Sequence, residues 1–359
     1  MLSIKEINIP GYEKVIEGRD PARGLYCFIA VHNCTLGPSL GGTRIHSYSS
    51  PQEALQDALR LAKAMTYKSA VAEDGLGGGK SVIIADPHKD KTPELFHAFA
   101  EVVDSLKGAY IAAEDVGSTL EDMALIRQRT PYVAALPSEM SSGDPSRFTA
   151  WGVFRGIQAV AKKLWKTNFL NNRTIAIEGL GHVGSKLANL LFWEGANLIV
   201  CDIDRKVVLQ HVHDYGAEVV SAEDFCSVKC DILAPCALGG IINSESVSQL
   251  NCLAVAGSAN NQLYAEEQGR QLMERGILYS PDYIINSGGI INAAAEFEEG
   301  GYNPKFARDK VNHIYDTLTR IFHLAEIENK PTNVVADEIA EYNLKNHIGK
   351  RSRAITFKY

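Results

Sequence analysis

The sequence predicts an α/β protein with two domains. Its 359 residues exceed what one ordinary hydrophobic core accommodates. Between residues 174 and 279, short apolar strands alternate with helical segments, which is the pattern of βαβ units and a parallel sheet. The first half mixes strands and helices, and the composition changes near residue 135. We therefore expect one domain over 1–134 and a second over 135–329.

The first half contains clear helix-start signals. Ser50-Pro51-Gln52-Glu53 is a capping box with proline at the first helical position, and apolar residues at helical spacing continue this helix to Met65. A second capping box is expected at Ser118–Glu121. The other elements expected here are a strand at 25–32, a strand at 81–85, a helix from Thr92 to about Ser105 and a strand at 110–113.

The second half has the more regular pattern. A helix from about Thr149 to Leu164 precedes it, and the tail from about Pro304 is helical with one polar face. The elements expected between them are a strand at 174–177, a helix at 184–194, a strand at 197–202, a helix at 205–215 and strands at 231–235, 252–256 and 277–279.

Composition and charge exclude several classes of function. The net charge is −7 at pH 7, so we expect no nucleic acid and no acidic membrane surface as a partner. No apolar run approaches the roughly 18 residues of a membrane span, and the N-terminus lacks the apolar region of a signal peptide. The seven cysteines are scattered without a CxxC pair, so neither a disulfide framework nor a metal site is expected. These features predict a cytoplasmic protein with reduced thiols.

A glycine motif marks the start of the second domain's alternating pattern. Residues 179–184 read Gly-Leu-Gly-His-Val-Gly, with a β-rich run before them and a helical stretch after them. The three glycines would make the tight turn, admit a pyrophosphate and let the helix pack close to the strand. We therefore predict that a dinucleotide binds at this motif, through Gly179, Leu180, Gly181, His182, Val183 and Gly184. The alternative is a glycine-rich turn without a ligand.

Asp202 indicates which dinucleotide binds. It lies 23 residues after Gly179, at the end of the next strand, where a carboxylate can accept hydrogen bonds from both ribose hydroxyls and would repel a 2′-phosphate. NAD is therefore favoured over NADP. Arg205 and Lys206 follow closely and weaken that preference.

A second glycine cluster, Gly77-Gly78-Gly79-Lys80-Ser81, lies in the first half. It resembles a nucleotide-triphosphate loop, but that motif requires a glycine where Asp74 stands. The glycines can instead bring the backbone and the Lys80 ammonium close to a bound molecule.

Lys68 is expected to follow the first long helix. If it shares a cleft with Lys80, each ammonium lowers the pKa of the other and desolvation lowers both further, so that one lysine can act as a base. Asp115, at the end of a strand, would supply the opposite charge and a proton relay. The alternative for each lysine is a solvated surface charge.

Six segments resemble the glutamate/leucine/phenylalanine/valine dehydrogenase family, and they extend in the family's order and spacing over nearly the whole chain. The last two are most similar to the leucine-specific members. The segments are LGPSLGGTR (36–44), MTYK (65–68), GGGK (77–80), AEDVG (113–117), PCALGG (235–240) and GSANNQ (257–262).

The resemblance implies the NAD-dependent oxidative deamination of an apolar L-amino acid, leucine first, to the 2-oxo acid, ammonium and NADH. Lys80 would be the general base that activates water, Asp115 would assist proton transfer at the departing nitrogen, and Lys68 would bind the substrate carboxylate. The other residues implied to contact substrate are Leu40, Gly41, Ala113, Ala134, Asn261, Ile290 and Ala293, and those implied on the cofactor side are Thr149 and Asn260.

The resemblance also implies the roles of the domains. The first would carry the substrate chemistry, the second would be a Rossmann-like NAD-binding domain, and the helical segment 330–359 would return to the first. A homo-oligomer is expected. Two alternatives remain: a sister enzyme for phenylalanine, valine or tryptophan, and a non-catalytic NAD sensor, against which the intact Lys68, Lys80 and Asp115 argue.

Overall fold

The computed structural model describes residues 1–136 and 142–357 of the chain. Two compact units are present: the first comprises Met1–Asp144, Ala293–Pro304 and Ala340–Tyr359, and the second comprises Pro145–Asn292 and Lys305–Ile339. Each contains one sheet with helices, so the α/β class is confirmed. The division into domains at residues 134 and 329 stays a prediction. All seven cysteines carry free thiols.

The first unit is built on a mixed six-stranded sheet. Its strands are β1 (Ser3–Glu6), β2 (Lys14–Asp20), β3 (Leu25–Asn33), β4 (Ser39–His46), β5 (Gly77–Ile84) and β6 (Tyr110–Glu114). Their order is β1-β2-β3-β5-β4-β6. The pairs β1/β2, β2/β3 and β3/β5 are antiparallel, whereas β4 is parallel to both β5 and β6. The carboxyl ends of β4 and β6 therefore lie at the same edge of the sheet.

Helices cover both faces of this sheet. They are α1 (Pro51–Ala72), α2 (Pro93–Ser105) and α3 (Leu120–Arg127), and a short 3₁₀ turn covers Pro21–Arg23. On one face, apolar residues of α1 such as Ala58 and Ala62 pack with Phe28 and Val82 of the strands. On the other face, residues of α2 such as Phe96 and Phe99 pack with Ile29, Ile83 and Ala112. This alternation along each strand creates two separate core layers.

Two details of the first unit differ from the sequence prediction. Helix α1 continues past Met65 to Ala72, so Lys68 lies within the helix and not after it. Thr66 and Ser69 are buried, which shows tertiary packing overriding their weak helix propensity.

The glycine cluster also differs, because all three glycines belong to strand β5, which was expected to begin only at Ser81. The second capping box joins Thr119 and Asp122, one residue later than predicted. Ser118 Oγ is used elsewhere, since it accepts a hydrogen bond from the backbone N–H of Asp115 at 2.9 Å.

The second unit contains a fully parallel sheet. Its strands are β7 (Thr174–Glu178), β8 (Asn197–Cys201), β9 (Glu218–Val219), β10 (Ile232–Pro235), β11 (Ala254–Val255) and β12 (Leu278–Tyr279). The order is β12-β11-β10-β7-β8-β9. Read from the β9 edge, this is the 3-2-1-4-5-6 order of dinucleotide-binding folds. Every strand predicted from residue 174 onward is present, and β9 is an additional two-residue strand.

The remaining helices follow the alternating pattern. They are α4 (Ser146–Trp165), α5 (His182–Trp193), α6 (Arg205–Tyr215), α7 (Ser246–Gln249), α8 (Glu267–Glu274), α9 (Asp282–Ile285), α10 (Gly288–Ala294), α11 (Pro304–Glu328) and α12 (Thr332–Lys345), with a 3₁₀ turn at Ala295–Phe297. None of the helices in the described ranges is long and apolar enough to cross a membrane.

Candidate active site

A buried ion pair joins the two residues predicted to be catalytic. Lys80 lies on β5 and is 5% exposed, and Asp115 directly follows β6. Lys80 Nζ lies 2.5 Å from Asp115 Oδ2. The two side chains meet above β4, where Gly42 leaves the necessary space: a Cβ atom on Gly42 would lie only 2.6 Å from Asp115 Cβ.

A second cation, Arg44, contacts the same carboxylate. Arg44 Nε donates to Asp115 Oδ2 at 3.2 Å, and Arg44 Nη1 donates to Asp57 Oδ2 on α1 at 2.9 Å. Sequence reasoning gave neither Arg44 nor Asp57 a role. The available signal was an acidic residue placed beside the buried positions Ala54 and Ala58 of α1.

Burial and charge perturb both members of the ion pair. Burial lowers the pKa of Lys80 because it disfavours the ammonium form; Asp115 opposes this shift and the positive Arg44 adds to it. Burial alone would raise the pKa of Asp115, but the charges of Lys80 and Arg44 outweigh it and lower that pKa. Lys80 is thus a candidate base held beside an ionised carboxylate. The cation that lowers the pKa of Lys80 is Arg44. That Lys68 also lowers this pKa stays a prediction.

The strand register places several predicted substrate residues on the Lys80 face of the sheet. Leu40 is paired with Gly78 of β5, and Gly42 is paired with Ala113 of β6. Side chains on one face recur every second residue along each strand, so Leu40 and Ala113 lie on the same face as Lys80. Ala134 N donates to Ala112 O at 2.9 Å, which places Ala134 next to Ala113.

The three glycines of β5 are explained by contacts within the protein. A Cβ atom on Gly78 would lie 2.0 Å from the backbone nitrogen of Thr66, and one on Gly77 would lie 2.1 Å from Asn33 O. Gly78 therefore lets α1 approach the sheet closely, whereas Gly77 makes room for Asn33 and Gly79 for the ring of Tyr110. Lys68 lies two residues beyond Thr66 on the same helix, so the close approach of α1 also sets the distance of Lys68 from β5. Gly41, predicted to contact substrate, is likewise confined, because its Cβ would lie 1.9 Å from Gly79 O.

In the second unit, the GxGxxG motif occupies the turn between β7 and α5. Gly179 has φ +89°, which favours glycine, and a Cβ on Gly184 would lie 1.8 Å from Gly179 O. Within the described residues, a Cβ on Gly181 would meet no heavy atom within 4 Å, and no side chain caps the amino end of α5 at His182 and Val183. Free backbone N–H groups at an open turn are the arrangement that binds a pyrophosphate, so these residues fit a dinucleotide.

Asp202 follows β8 and is hydrogen-bonded to that same turn. Its Oδ2 accepts from the N–H of Leu180 at 2.6 Å, and its Oδ1 accepts from the N–H of Asp204 at 2.7 Å. The carboxylate is therefore fixed beside the glycine turn, and each oxygen has a further lone pair for a ribose hydroxyl.

The remaining residues predicted to contact cofactor or substrate lie on α4, on α10 and in the turn after β11. Asn260 and Asn261 are exposed in the turn after β11, where Asn261 has φ +51° and Asn286 Nδ2 donates to Asn260 Oδ1 at 2.8 Å. Thr149 lies on α4, with its hydroxyl donating to Pro145 O at 3.2 Å. Ile290 and Ala293 both lie on α10, at 9% and 6% exposure.

Comparison with known proteins finds similarity over almost the full chain. The family profile described as Glu/Leu/Phe/Val dehydrogenase, dimerisation domain, matches residues 13–132, and the one described as Glutamate/Leucine/Phenylalanine/Valine dehydrogenase matches residues 201–343. Leucine dehydrogenase of Geobacillus stearothermophilus is 48% identical over 342 residues, covering 95% of this chain and 93% of that protein. The chain belongs to the Glu/Leu/Phe/Val dehydrogenase family.

Two further relatives support the assignment. Phenylalanine dehydrogenase of Caldalkalibacillus thermarum is 44% identical over 357 residues, covering 97% of this chain and 94% of that protein. The crystal structure of L-tryptophan dehydrogenase from Nostoc punctiforme superposes with a TM-score of 0.83 at 41% identity, covering 94% of this chain and 96% of that one. The resemblance predicted from the sequence is confirmed: this protein is an amino-acid dehydrogenase of the apolar-substrate branch, in a family that uses a nicotinamide cofactor.

Proposed function

We propose that this dehydrogenase oxidises L-leucine with NAD⁺ and water to the 2-oxo acid, ammonium and NADH. The observation that carries the proposal is the buried Lys80–Asp115 pair, 2.5 Å apart, on the sheet face that also presents Leu40 and Ala113. The bound nicotinamide cofactor would supply the acceptor for the hydride that leaves the substrate Cα.

Proton transfer is the part of the reaction that Lys80 and Asp115 perform. In its neutral form, Lys80 takes a proton from water as the water oxygen bonds to the imine carbon of the oxidised substrate. The lowered pKa of Lys80 makes that neutral form accessible. Asp115, ionised beside Lys80, first accepts a proton from the α-ammonium group of the substrate and later returns it to that nitrogen, so that the C–N bond breaks with the nitrogen protonated. Lys68 holds the substrate carboxylate by charge.

The substrate side chain would face apolar residues only. Those we assign are Leu40, Ala113, Ala134, Ile290 and Ala293. A glutamate side chain would bring a second carboxylate without a cationic partner among these residues, and burying an unpaired carboxylate costs several kcal/mol. The small alanines favour leucine over valine, since each additional buried CH₂ contributes about 0.8 kcal/mol.

NAD⁺ is proposed as the cofactor because of Asp202. Its carboxylate, fixed by the N–H groups of Leu180 and Asp204, would accept the ribose hydroxyls and repel a 2′-phosphate. Thr149, Asn260 and the glycine turn would complete the cofactor site. We also propose a homo-oligomer, supported by the dimerisation domain that the family profile describes over residues 13–132. The cytoplasmic location stays a prediction from the sequence.

The proposal is tested by product analysis. Purified protein with leucine and NAD⁺ should form NADH, ammonium and 4-methyl-2-oxopentanoate in equal amounts, with no reaction when leucine is left out. NADH formation without ammonium would refute the deamination, and the absence of NADH with every apolar amino acid would leave the NAD sensor as the better description.

A further inference from the structure

Arg44 bridges the proposed catalytic carboxylate to a second carboxylate. Its Nε donates to Asp115 Oδ2 at 3.2 Å and its Nη1 to Asp57 Oδ2 at 2.9 Å. The Arg44 side chain is 23% exposed, and those of Asp115 and Asp57 are 22% and 16% exposed. The guanidinium is a rigid planar group, so two anchored nitrogens fix the orientation of the whole fork.

Asp57 is itself held from two other directions. Tyr48 OH donates to Asp57 Oδ2 at 2.7 Å, and Arg60 Nη2 donates to Asp57 Oδ1 at 2.8 Å. Asp57 is therefore bonded both to Tyr48, which follows β4, and to Arg60 on its own helix, α1. Asp57 is thus a fixed anchor, and its bond to Arg44 opposes a movement of the guanidinium away from Asp115.

We propose that Arg44, anchored by Asp57, is the positioning residue that holds the Asp115 carboxylate against Lys80 Nζ. Arg44 acts through Asp115 and takes no proton itself, because a guanidinium stays charged in proteins. Since it assigns a role in catalysis, this inference rests on the proposed function.

The bridge also acts on Lys80 through its charges, and in two opposite directions. The positive Arg44 lowers the pKa of Lys80, whereas the negative Asp57 raises it. Asp115 raises the pKa of Lys80 more than any other charge, so a carboxylate that moves away once Arg44 or Asp57 is removed should leave Lys80 with a lower pKa. If Asp115 stayed in place without Arg44, loss of the Arg44 charge alone would raise the pKa of Lys80, so the direction of the shift separates positioning from a simple charge effect.

Other charged and titratable groups on the elements around Lys80 are unchanged in this comparison. They are Asp115 and Glu114 at the end of β6, Tyr48 after β4, His32 on β3, and Arg60, Lys63 and Lys68 on α1. The test therefore compares variants in which only one member of the bridge differs.

The chain offers a matched control at Arg23. Its Nε lies 2.9 Å from Asp20 Oδ2 and its Nη1 lies 2.7 Å from Glu101 Oε1, and its side chain is 27% exposed. Arg23→Met thus breaks a two-carboxylate bridge of the same kind in the same unit, away from Lys80. Arg44→Met and Asp57→Asn are the two test variants, with thermal unfolding followed by circular dichroism to confirm that each is folded.

Two measurements are made on the full-length variants. The first is the pH dependence of kcat/KM for leucine. The second is the pH dependence of Lys80 acetylation by trace acetic anhydride, read by mass spectrometry without substrate. Arg44→Met should lower kcat/KM at the optimum by about 10- to 100-fold, as expected for a misplaced proton-transfer group. The Lys80 labelling midpoint should move down in both Arg44→Met and Asp57→Asn, and not at all in Arg23→Met.

The two readouts separate failure of this inference from failure of the proposed function. If the wild-type protein forms no NADH from leucine, the proposed function is wrong, yet the labelling midpoints still report how the bridge acts on Lys80. A midpoint that moves up in Arg44→Met, or that stays at the wild-type value in both test variants, would overturn the role of Arg44. Unchanged kcat/KM in Arg44→Met would do the same. If Arg44→Met does not fold, Arg44→Lys takes its place: it keeps the positive charge but loses the two-nitrogen fork, so its midpoint should fall if the fork positions Asp115 and stay at the wild-type value if it does not.

Discussion

Substituting Gly78 by alanine should disable the enzyme by moving the helix that carries Lys68, the residue proposed to bind the substrate carboxylate. The new Cβ atom would lie 2.0 Å from the backbone nitrogen of Thr66 and 2.4 Å from its Cα. Ordinary van der Waals contact begins at 3.4 Å, so α1 has to retreat from β5 by about 1.4 Å. Lys68 lies half a turn beyond Thr66 and moves with it.

The magnitude follows from two separate effects. Overpacking of this kind should lower the free energy of unfolding by about 1–3 kcal/mol. A displacement of a binding group by about 1 Å can lower the rate roughly 100-fold, and here the loss should include a higher KM for the amino acid.

Gly24→Ala is the matched control in the same unit. Gly24 has φ +73°, and among the described atoms none lies within 4 Å of a Cβ built there. Alanine at this left-handed position should cost about 1–2 kcal/mol without displacing a neighbour. Urea unfolding and steady-state kinetics on both variants separate lost stability from lost geometry. If Gly78→Ala keeps kcat/KM within about twofold of Gly24→Ala, the close approach of α1 does not set the position of Lys68.

Three other predictions concern proton transfer and the cofactor. Lys80→Ala should lower kcat by about 10²- to 10⁴-fold while NADH still binds in a fluorescence titration; near-normal turnover would remove Lys80 from the mechanism. In the wild-type protein, kcat/KM for leucine should rise with pH, because Lys80 accepts a proton only when neutral, and the midpoint should lie below the ordinary lysine value of 10.5. A profile that is flat or falls over that range would contradict this. Asp202→Ala should reduce the ratio of kcat/KM for NAD⁺ to that for NADP⁺, and an unchanged ratio would show that Arg205 or Lys206 determines the choice.

The parallel sheet of the second unit could be predicted almost element by element. Its signals are local: apolar runs of strand length, turn residues between them and the glycine spacing before α5. Asp202 was also placed correctly at the end of its strand, because the carboxyl end of β8 follows from the strand itself. The two-residue strand β9 was missed, since Glu218 and Val219 are both exposed and give no apolar run.

The errors arose where contacts distant in sequence decide the structure. The glycines at 77–79 were left out of the strand expected at 81–85, but they begin β5, where Cβ atoms on Gly77 and Gly78 would collide with Asn33 and with Thr66 of α1. Helix α1 was ended near Met65, the last apolar residue counted at helical spacing; burial of Thr66 and Ser69 accompanies its continuation to Ala72.

The same limit applies to the candidate site. Lys80 and Asp115 were predicted from the glycine cluster, a strand end and the family resemblance, and the structure brings them to 2.5 Å. Arg44 and Asp57 were missed as partners because their pairing joins β4 to α1 through side chains. A sequence pattern gives each element's face, but not which charged groups meet when two elements pack.

The identity of the substrate is tested most directly by a series of kcat/KM values from NADH absorbance. Leucine, isoleucine, valine, methionine, phenylalanine and glutamate should each be measured with NAD⁺ at one pH. Leucine should give the highest value and glutamate the lowest, since a misfit methylene costs about 1–3 kcal/mol and a buried unpaired carboxylate costs more. Strong activity on glutamate, or valine well ahead of leucine, would contradict the assignment of an apolar leucine site.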